Sequence, residues 1–299
     1  MYFSFTDEQL QFRDVVRRFM TNKAPIIEAR RLMETEAGYD RDVWNEACAD
    51  LGLASIHIPE CYGGLGFSSV ELCIALEEMG RVLLCAPFFS SSVLATNAIL
   101  NGATERYKKK LLPKIANGEV IATLAISEPS GVWDPSATRL TADIDGETYR
   151  LNGTKKFVTD GVIADIIIVV ARAPGSTDNE GLSLYLVDGE SAGLRRRPLN
   201  VIDLTRKQAE LTFSNVQANL ISESGTAAEG LCRTNDQATV ALANEMVGGC
   251  QILLESAVDY AKLRMQFGRI IGSFQAVKHK CADMLVDVEH AKSAAYYAA

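Results

Sequence analysis

The stretch Arg264-Met-Gln-Phe-Gly-Arg-Ile-Ile-Gly-Ser-Phe-Gln-Ala-Val-Lys278 joins two long apolar-periodic segments, and its reading governs the rest of the chain. Before it, from about Thr226 to Phe267, the residues Val240, Leu242, Ala243, Val247, Leu253, Leu254, Ala257, Val258 and Ala261 recur without a proline. That pattern predicts one helix of about 60 Å at the standard rise per residue. After it, a second helix is expected from near Ser273 to the chain end. Long helices of this pattern need partners, within a bundle or in another subunit. The junction itself brings a guanidinium, an aromatic ring, a glycine turn and a carboxamide close together. A guanidinium fork suits a pyrophosphate, because two donors meet two oxygens at once. The same residues also fit a plainer role, an Arg and a Gly ending a helix over Phe267 and Phe274 as core.

Working outward, 299 residues suffice for two or three packed units with a sizeable core. Hydrophobic residues make up 47% and charged residues 23%, the balance of a water-soluble globular chain. A net charge of −8, with no basic block longer than Lys108–Lys110 or Arg195–Arg197, argues against a nucleic-acid surface. The amino terminus carries Asp7 and Glu8 where a signal peptide would be apolar, and the run Ile166 to Ala171 is too short to span a bilayer. No membrane association is expected, and the expected compartment is the cytoplasm. Seven scattered cysteines without a Cys-x-x-Cys suit reduced, mostly buried thiols. Three histidines, His57, His279 and His290, are too sparse for a metal centre, so no metal is expected.

Three segments follow from the periodicity: 1–118 helical, 119–224 β, and 225–299 helical again. In the first, Thr6 with Gln9 and Ser68 with Glu71 can each close a capping box ahead of helical apolar spacing. Between them, Ile58-Pro-Glu-Cys-Tyr-Gly-Gly-Leu-Gly66 breaks any regular element, and it lacks the lysine and strand context of a phosphate-binding loop. In the second, Arg139–Ile144 alternates, Ile166–Ala171 is β-branched, and Asp145-Gly146 and Asn152-Gly153 both read as hairpin turns. Leu182–Val187 and Leu211–Phe213 continue the pattern. A compact antiparallel, barrel-like β domain is the economical reading.

Several of these motifs resemble the acyl-CoA dehydrogenase family. The junction is similar to the family's FAD-contacting Arg-x-x-Phe-Gly-x-x-x-x-x-x-Gln, with Arg264, Gln266, Phe267 and Gln275 at its contacting positions. Pro59-Glu-Cys-Tyr-Gly-Gly-Leu-Gly66 and Glu77-Glu-Met-Gly-Arg81 resemble two segments of its helical domain. The resemblance covers essentially the whole chain. It implies a mainly α fold with a central β domain, and a carboxyl-terminal bundle that is incomplete here.

Thr123-Leu-Ala-Ile-Ser-Glu-Pro-Ser-Gly-Val-Trp-Asp-Pro135 looks like the family's first signature. The resemblance puts Ile126 and Ser127 against the flavin ring, where donors meet charge that collects as hydride arrives. Val132-Trp133 stands where Gly-Ser is expected, so Trp133 takes the position of a serine that touches the acyl-CoA. Lys155-Lys-Phe-Val-Thr-Asp160 resembles the family's Lys-x-Trp-Ile-Thr-Asn, with Phe157 in place of the ring-stacking tryptophan and Thr159 near flavin N5. An ordinary alternating strand would put Phe157 and Thr159 on one face, which is compatible with that role. Asp203-Leu-Thr-Arg206 resembles a further family segment, with Arg206 facing an anion or forming a surface ion pair.

Removing an α-proton from a thioester needs a carboxylate in a dry setting. Glu245 lies among Ala241, Leu242, Ala243, Met246 and Val247, with Gly248 and Gly249 one turn on, leaving room for a ligand or another backbone. A branch of the family linked to sterol side-chain or branched acyl-CoA breakdown has a similar segment, which makes Glu245 the expected base. The other reading is a solvent-facing glutamate beside packing glycines. Asp236 aligns with a position near the CoA.

The resemblance therefore implies an FAD-dependent oxidoreductase. It would convert an acyl-CoA to a trans-2-enoyl-CoA and pass electrons to an electron-transfer flavoprotein, as a homotetramer or α2β2 heterotetramer. Two rivals share these motifs: a non-catalytic partner subunit of a mixed tetramer, and a flavin monooxygenase or nitroalkane oxidase.

Overall fold

The computed structural model describes residues 4–299. Along the chain come α1 (Asp7–Lys23), α2 (Ile26–Met33), α3 (Arg41–Leu51), α4 (Ser69–Val82), α5 (Thr96–Gly102) and α6 (Glu105–Ala116). Seven strands follow: β1 (Ala122–Ala125), β2 (Thr141–Asp145), β3 (Thr148–Thr159), β4 (Ile166–Arg172), β5 (Leu182–Asp188), β6 (Leu194–Pro198) and β7 (Gln208–Leu220). The chain ends with α7 (Ala227–Leu263), the two-residue strands β8 (Met265–Gln266) and β9 (Arg269–Ile270), and α8 (Gln275–Ala298). No helix among the described residues is long and apolar enough to cross a membrane.

The local signals act where they were expected. Thr6 and Ser68 each accept a backbone N–H of the first turn, while Gln9 and Glu71 reach back to the cap nitrogen, closing both boxes. The 37 residues of α7 give a rod of about 55 Å. None of the seven cysteines is in a disulfide, but only Cys48, Cys73 and Cys85 are buried; Cys61, Cys232 and Cys250 are exposed, contrary to the expectation of mostly buried cysteines.

The chain forms two compact units. One comprises Met1–Ala29, Ser68–Leu84 and Thr239–Ala299, the other Arg30–Phe67 and Cys85–Ala238. In the second, β4, β2, β3, β7 and β5 pair in a ring that closes through β4–β5, which makes the expected barrel. The sheet is mixed rather than purely antiparallel, because β1 and β2 both run parallel to β4. Ile167, Val169 and Ala171 of β4 face a core with Leu151, Val158, Leu211, Phe213 and Val216. Ile168 and Val170 face the other way, onto Ile99, Leu112 and Ile115 of α5 and α6. A strand covered on both faces reads as an unbroken apolar run, which is why 166–171 lacks alternation.

Asp145-Gly146 opens the two-residue turn between β2 and β3, as read from the sequence. Asn152-Gly153 does not turn: it is a bulge inside β3, where the register with β7 shifts between Leu151 and Gly153. Asn152 Oδ1 accepts the Asn215 N–H across the strands at 2.8 Å, and Gly153 takes φ +142° against Leu140. The dipeptide serves the strand because its side chain finds a partner far along the chain.

In the first unit, α4 and α7 approach at backbone distance. A Cβ on Gly80 would collide with the carbonyl of Glu245, and one on Gly248 with the carbonyl of Glu77. The room beside Gly248 is thus filled by another backbone, that of α4, which decides one of the two options the sequence left open. Two buried carboxylates of α4 are fully engaged there. Glu77 accepts from Lys292 (2.7 Å), Tyr296 (2.6 Å) and Arg13 (3.1 Å), and Glu78 from Arg17 at 2.8 and 2.7 Å.

Candidate active site

Of the residues expected to contact a flavin, the second unit carries Ile126, Ser127, Phe157 and Thr159, at or just beyond the ends of β1 and β3. Lys155 is 0% exposed, and its Nζ donates to the Glu128 carboxylate and the Ile126 carbonyl, each at 2.9 Å. Glu128 also accepts the N–H groups of Arg139 and Leu140 at 2.9 Å. The Lys156 N–H donates to the Ser127 carbonyl at 2.9 Å, so Ile126 and Ser127 are held on both sides by β3. Burial pulls the Lys155 ammonium down to about 8, against the opposing pull of Glu128. Burial also disfavours the Glu128 carboxylate, yet the Lys155 charge and the two N–H groups hold it below the ordinary glutamate range. Neither residue was singled out in the sequence as a buried pair.

Directly after Lys155 the strand bulges. The register with β7 slips between Lys155 and Val158, and Phe157 takes the left-handed φ of 60°. The ring is turned out of the sheet and stays 41% exposed, while Val158 points into the barrel core. An aromatic face beside the backbone groups of Ile126 and Ser127 is the surface that a flat heteroaromatic ring requires. Thr159, at the end of β3, is buried, and its carbonyl accepts the Thr123 hydroxyl at 2.6 Å.

Asp160 then adopts φ 54° and is buried. Its carboxylate accepts the Ser90 hydroxyl at 2.6 Å, from a π-helical turn spanning Phe89–Ala95. The next serine, Ser91, accepts the Ala122 N–H at 3.2 Å. The wide turn lets two consecutive serines grip the end of β3 and the start of β1. No sequence signal announced the π-turn. Arg206 lies over the Phe89 ring at 4.5 Å.

Burial raises the Asp160 carboxyl to about 6, against the Ser90 hydrogen bond and the Arg206 charge. Between the ordinary 3.8 and about 6, the folded chain binds more protons than the unfolded one, so stability falls as pH rises through that window. Asp160→Asn keeps the Ser90 contact and the left-handed backbone without the buried charge. It is expected to raise stability at pH 7 by about 2–3 kcal/mol, with the gain shrinking as pH drops towards 4. Urea denaturation at several pH values checks this; a gain independent of pH would refute the assignment.

In the first unit, β8 and β9 form a hairpin whose two-residue turn is Phe267-Gly268, with φ 53° and 77°. Positive φ at both positions is the primed turn that suits the strand twist. It presents Phe267 at 91% exposure, so this ring is not the core residue of the plainer reading. Arg264, Gln266 and Gln275 are exposed beside it, and Arg264 has no ion-pair partner among the described residues. An unpaired guanidinium, two carboxamides and an open ring suit a pyrophosphate and a flat heterocycle; the donor set fits FAD. Glu245 is half-buried on α7 at the close approach to α4. Asp236 is exposed, and Trp133 stands on an exposed loop at 69%. No group of three His, Cys, Asp or Glu able to hold a metal occurs among the described residues.

Three family models match in sequence order: the acyl-CoA dehydrogenase N-terminal domain over residues 6–119, the middle domain over 123–216 and the C-terminal domain over 235–299. The chain belongs to the acyl-CoA dehydrogenase family. It is 32% identical to an acyl-CoA dehydrogenase of Bacillus subtilis, across 98% of this chain and 79% of that protein. Butyryl-CoA dehydrogenase from Megasphaera elsdenii superposes with a TM-score of 0.90 at 28% identity, over 99% of this chain and 80% of that one. A solved FAD-dependent dehydrogenase superposes at 0.86 with 30% identity, over 99% and 79%. Family membership makes the chain an oxidoreductase.

Proposed function

We propose that the protein oxidises the Cα–Cβ bond of an acyl-CoA thioester with FAD as resident cofactor, yielding the trans-2-enoyl-CoA. The observation that carries this reading is the bulge at Lys155–Val158, which turns Phe157 outward beside the clamped Ile126-Ser127 backbone. Membership of the acyl-CoA dehydrogenase family supports it. FAD, when bound, supplies the acceptor for the hydride that leaves Cβ. Ile126 and Ser127 offer backbone and hydroxyl groups to the polar edge of the ring, Phe157 its face, and Thr159 a hydroxyl near N5. Arg264 would meet the FAD pyrophosphate, and Gln266, Phe267 and Gln275 would supply further contacts to the cofactor. Glu245 takes the α-proton, Trp133 walls the acyl chain, and Asp236 lies along the CoA.

Electrons pass on to an electron-transfer flavoprotein. The hairpin that displays Phe267 serves a cofactor shared with a neighbouring subunit, in a homotetramer or an α2β2 heterotetramer, in the cytoplasm. Anaerobic titration of the FAD-loaded protein with butyryl-CoA and isovaleryl-CoA tests the reaction. Loss of the oxidised flavin absorbance without added nicotinamide nucleotide is the expected outcome; a spectrum unchanged by any acyl-CoA would refute it.

A further inference from the structure

Arg172, the last residue of β4, is 6% exposed, yet no carboxylate neutralises it among the described residues. Its guanidinium donates instead to four backbone carbonyls. Two belong to the loop after β1, those of Thr138 and of Ser136 (2.9 Å). The other two belong to the β4–β5 connection, Ser176 and Asp178, both at 2.8 Å. A buried cation satisfied only by carbonyls is costly compared with an apolar side chain, so stability alone does not explain it. What the group supplies is direction. A planar fork with donors on three nitrogens holds four carbonyls of two segments in fixed directions, more than the three rotatable donors of a lysine ammonium can serve.

The first of these loops is closed at its stem. Glu128 accepts the N–H groups of Arg139 and Leu140, while the Gly131 N–H turns back onto the Glu128 carbonyl. Beyond that stem the tip projects Val132 and Trp133 into solvent. Arg172 grips the returning limb at Ser136 and Thr138, a few residues past Trp133. The second loop, 173–181, closes on itself through the Ala173 N–H and the Gly181 carbonyl, and has left-handed turns at Gly175, Asp178 and Gly181. The guanidinium is therefore a rivet between two otherwise self-contained loops.

We propose that Arg172 is a positioning residue for acyl-CoA binding: it joins the loop bearing Trp133 and the loop 173–181 into one rigid lip, so that an apolar acyl thioester meeting Trp133 orders both. This rests on the reading of Trp133 as an acyl contact. The chain has two tryptophans, Trp44 and Trp133, and Trp44 is buried. A Trp44→Phe protein thus reports Trp133 alone, through its emission and its quenching by acrylamide, with and without butyryl-CoA or isovaleryl-CoA.

In that background, Arg172→Lys is expected to weaken the shielding of Trp133 from the quencher by bound acyl-CoA and to raise KM about tenfold, the loss typical of a charge-assisted hydrogen bond. With ferrocenium as electron acceptor, kcat should move less than about twofold and bound FAD should not fall. Adding Trp133→Ala should leave KM where Trp133→Ala alone puts it. An unchanged KM, a fall in kcat that follows lost FAD, or additive effects in the double variant would overturn the proposal. Should Arg172→Lys not fold, hydrogen exchange on the parent protein decides: acyl-CoA must protect 173–181 together with 128–139, and protection confined to 128–139 refutes the rivet. A Trp133 emission blind to both acyl-CoAs in the parent would sink the acyl-contact reading and this proposal with it. A ligand response in the parent that Arg172→Lys leaves intact sinks this proposal alone.

Discussion

Glu245→Gln is expected to slow acyl-CoA-dependent flavin bleaching by roughly 10²–10⁴-fold, the range for removing a general base, while acyl-CoA binding persists. The substitution keeps size and hydrogen-bonding capacity but cannot accept the α-proton. Three neighbouring carboxylates of that unit, the buried Glu77 and Glu78 and the partly exposed Glu255, are each engaged by cations. Glu77 is bound by Lys292, Tyr296 and Arg13; burial pushes its carboxyl up, but these partners hold it below the ordinary range. Glu78 is bracketed by Arg17 and Arg81, and Glu255 is gripped by both terminal nitrogens of Arg81. A carboxylate so engaged is a poor acceptor for a new proton. Glu245 also has a main chain that cannot drift, since α4 meets it where Gly80 lacks a side chain. Stopped-flow absorbance under anaerobic conditions measures the effect. Bleaching at the parent rate in Glu245→Gln would move the base to another residue.

Lys155→Met carries the second large effect, this time on stability. Removing one member of a buried ion pair leaves the other charge without its counterion, at a cost of roughly 3–5 kcal/mol. Glu128 would remain in the barrel wall with two backbone N–H donors and no cation. The Tm should fall by on the order of 10 °C. FAD should also be lost, because the carbonyl of Ile126 loses its Nζ donor next to the proposed ring contact. An apolar pair, Lys155→Met with Glu128→Leu, would restore stability if the charges merely cancelled. It is expected to fall short, because the Leu140 N–H would then be buried without its acceptor and the partly buried Arg139 N–H would lose its own. Calorimetry of the single and double variants separates the two cases; full recovery in the double variant would refute the role given to Glu128.

Local chemistry made much of the architecture readable. The boxes at Thr6 and Ser68, the proline-free run that became α7, the Asp145-Gly146 turn and the apolar run of β4 each act over a few neighbouring residues. Their physical causes, cap donors, side-chain period and turn dihedrals, are written within a short window of the chain. The order of helices, strands and helices followed from the same windows, as did the chemical types gathered at Arg264–Lys278.

Other features depended on partners distant in sequence. Asn152-Gly153 reads as a turn in isolation and became a bulge because the Asn215 N–H meets Asn152 across the barrel. Lys155 looked like one more strand residue until Glu128 and the Ile126 carbonyl enclosed it. Gly248 was compatible with a ligand or a backbone, and the carbonyl of Glu77 on α4 took the space. The rivet at Arg172 and the serine grip of the π-helical turn have no local signature at all. Sequence alone determined most of the helices and strands and the kinds of side chain available to a flavin and a thioester, since those follow from neighbours. Tertiary structure decided which of those side chains are buried, paired or turned outward, because burial and hydrogen bonding are settled only when remote segments close on one another.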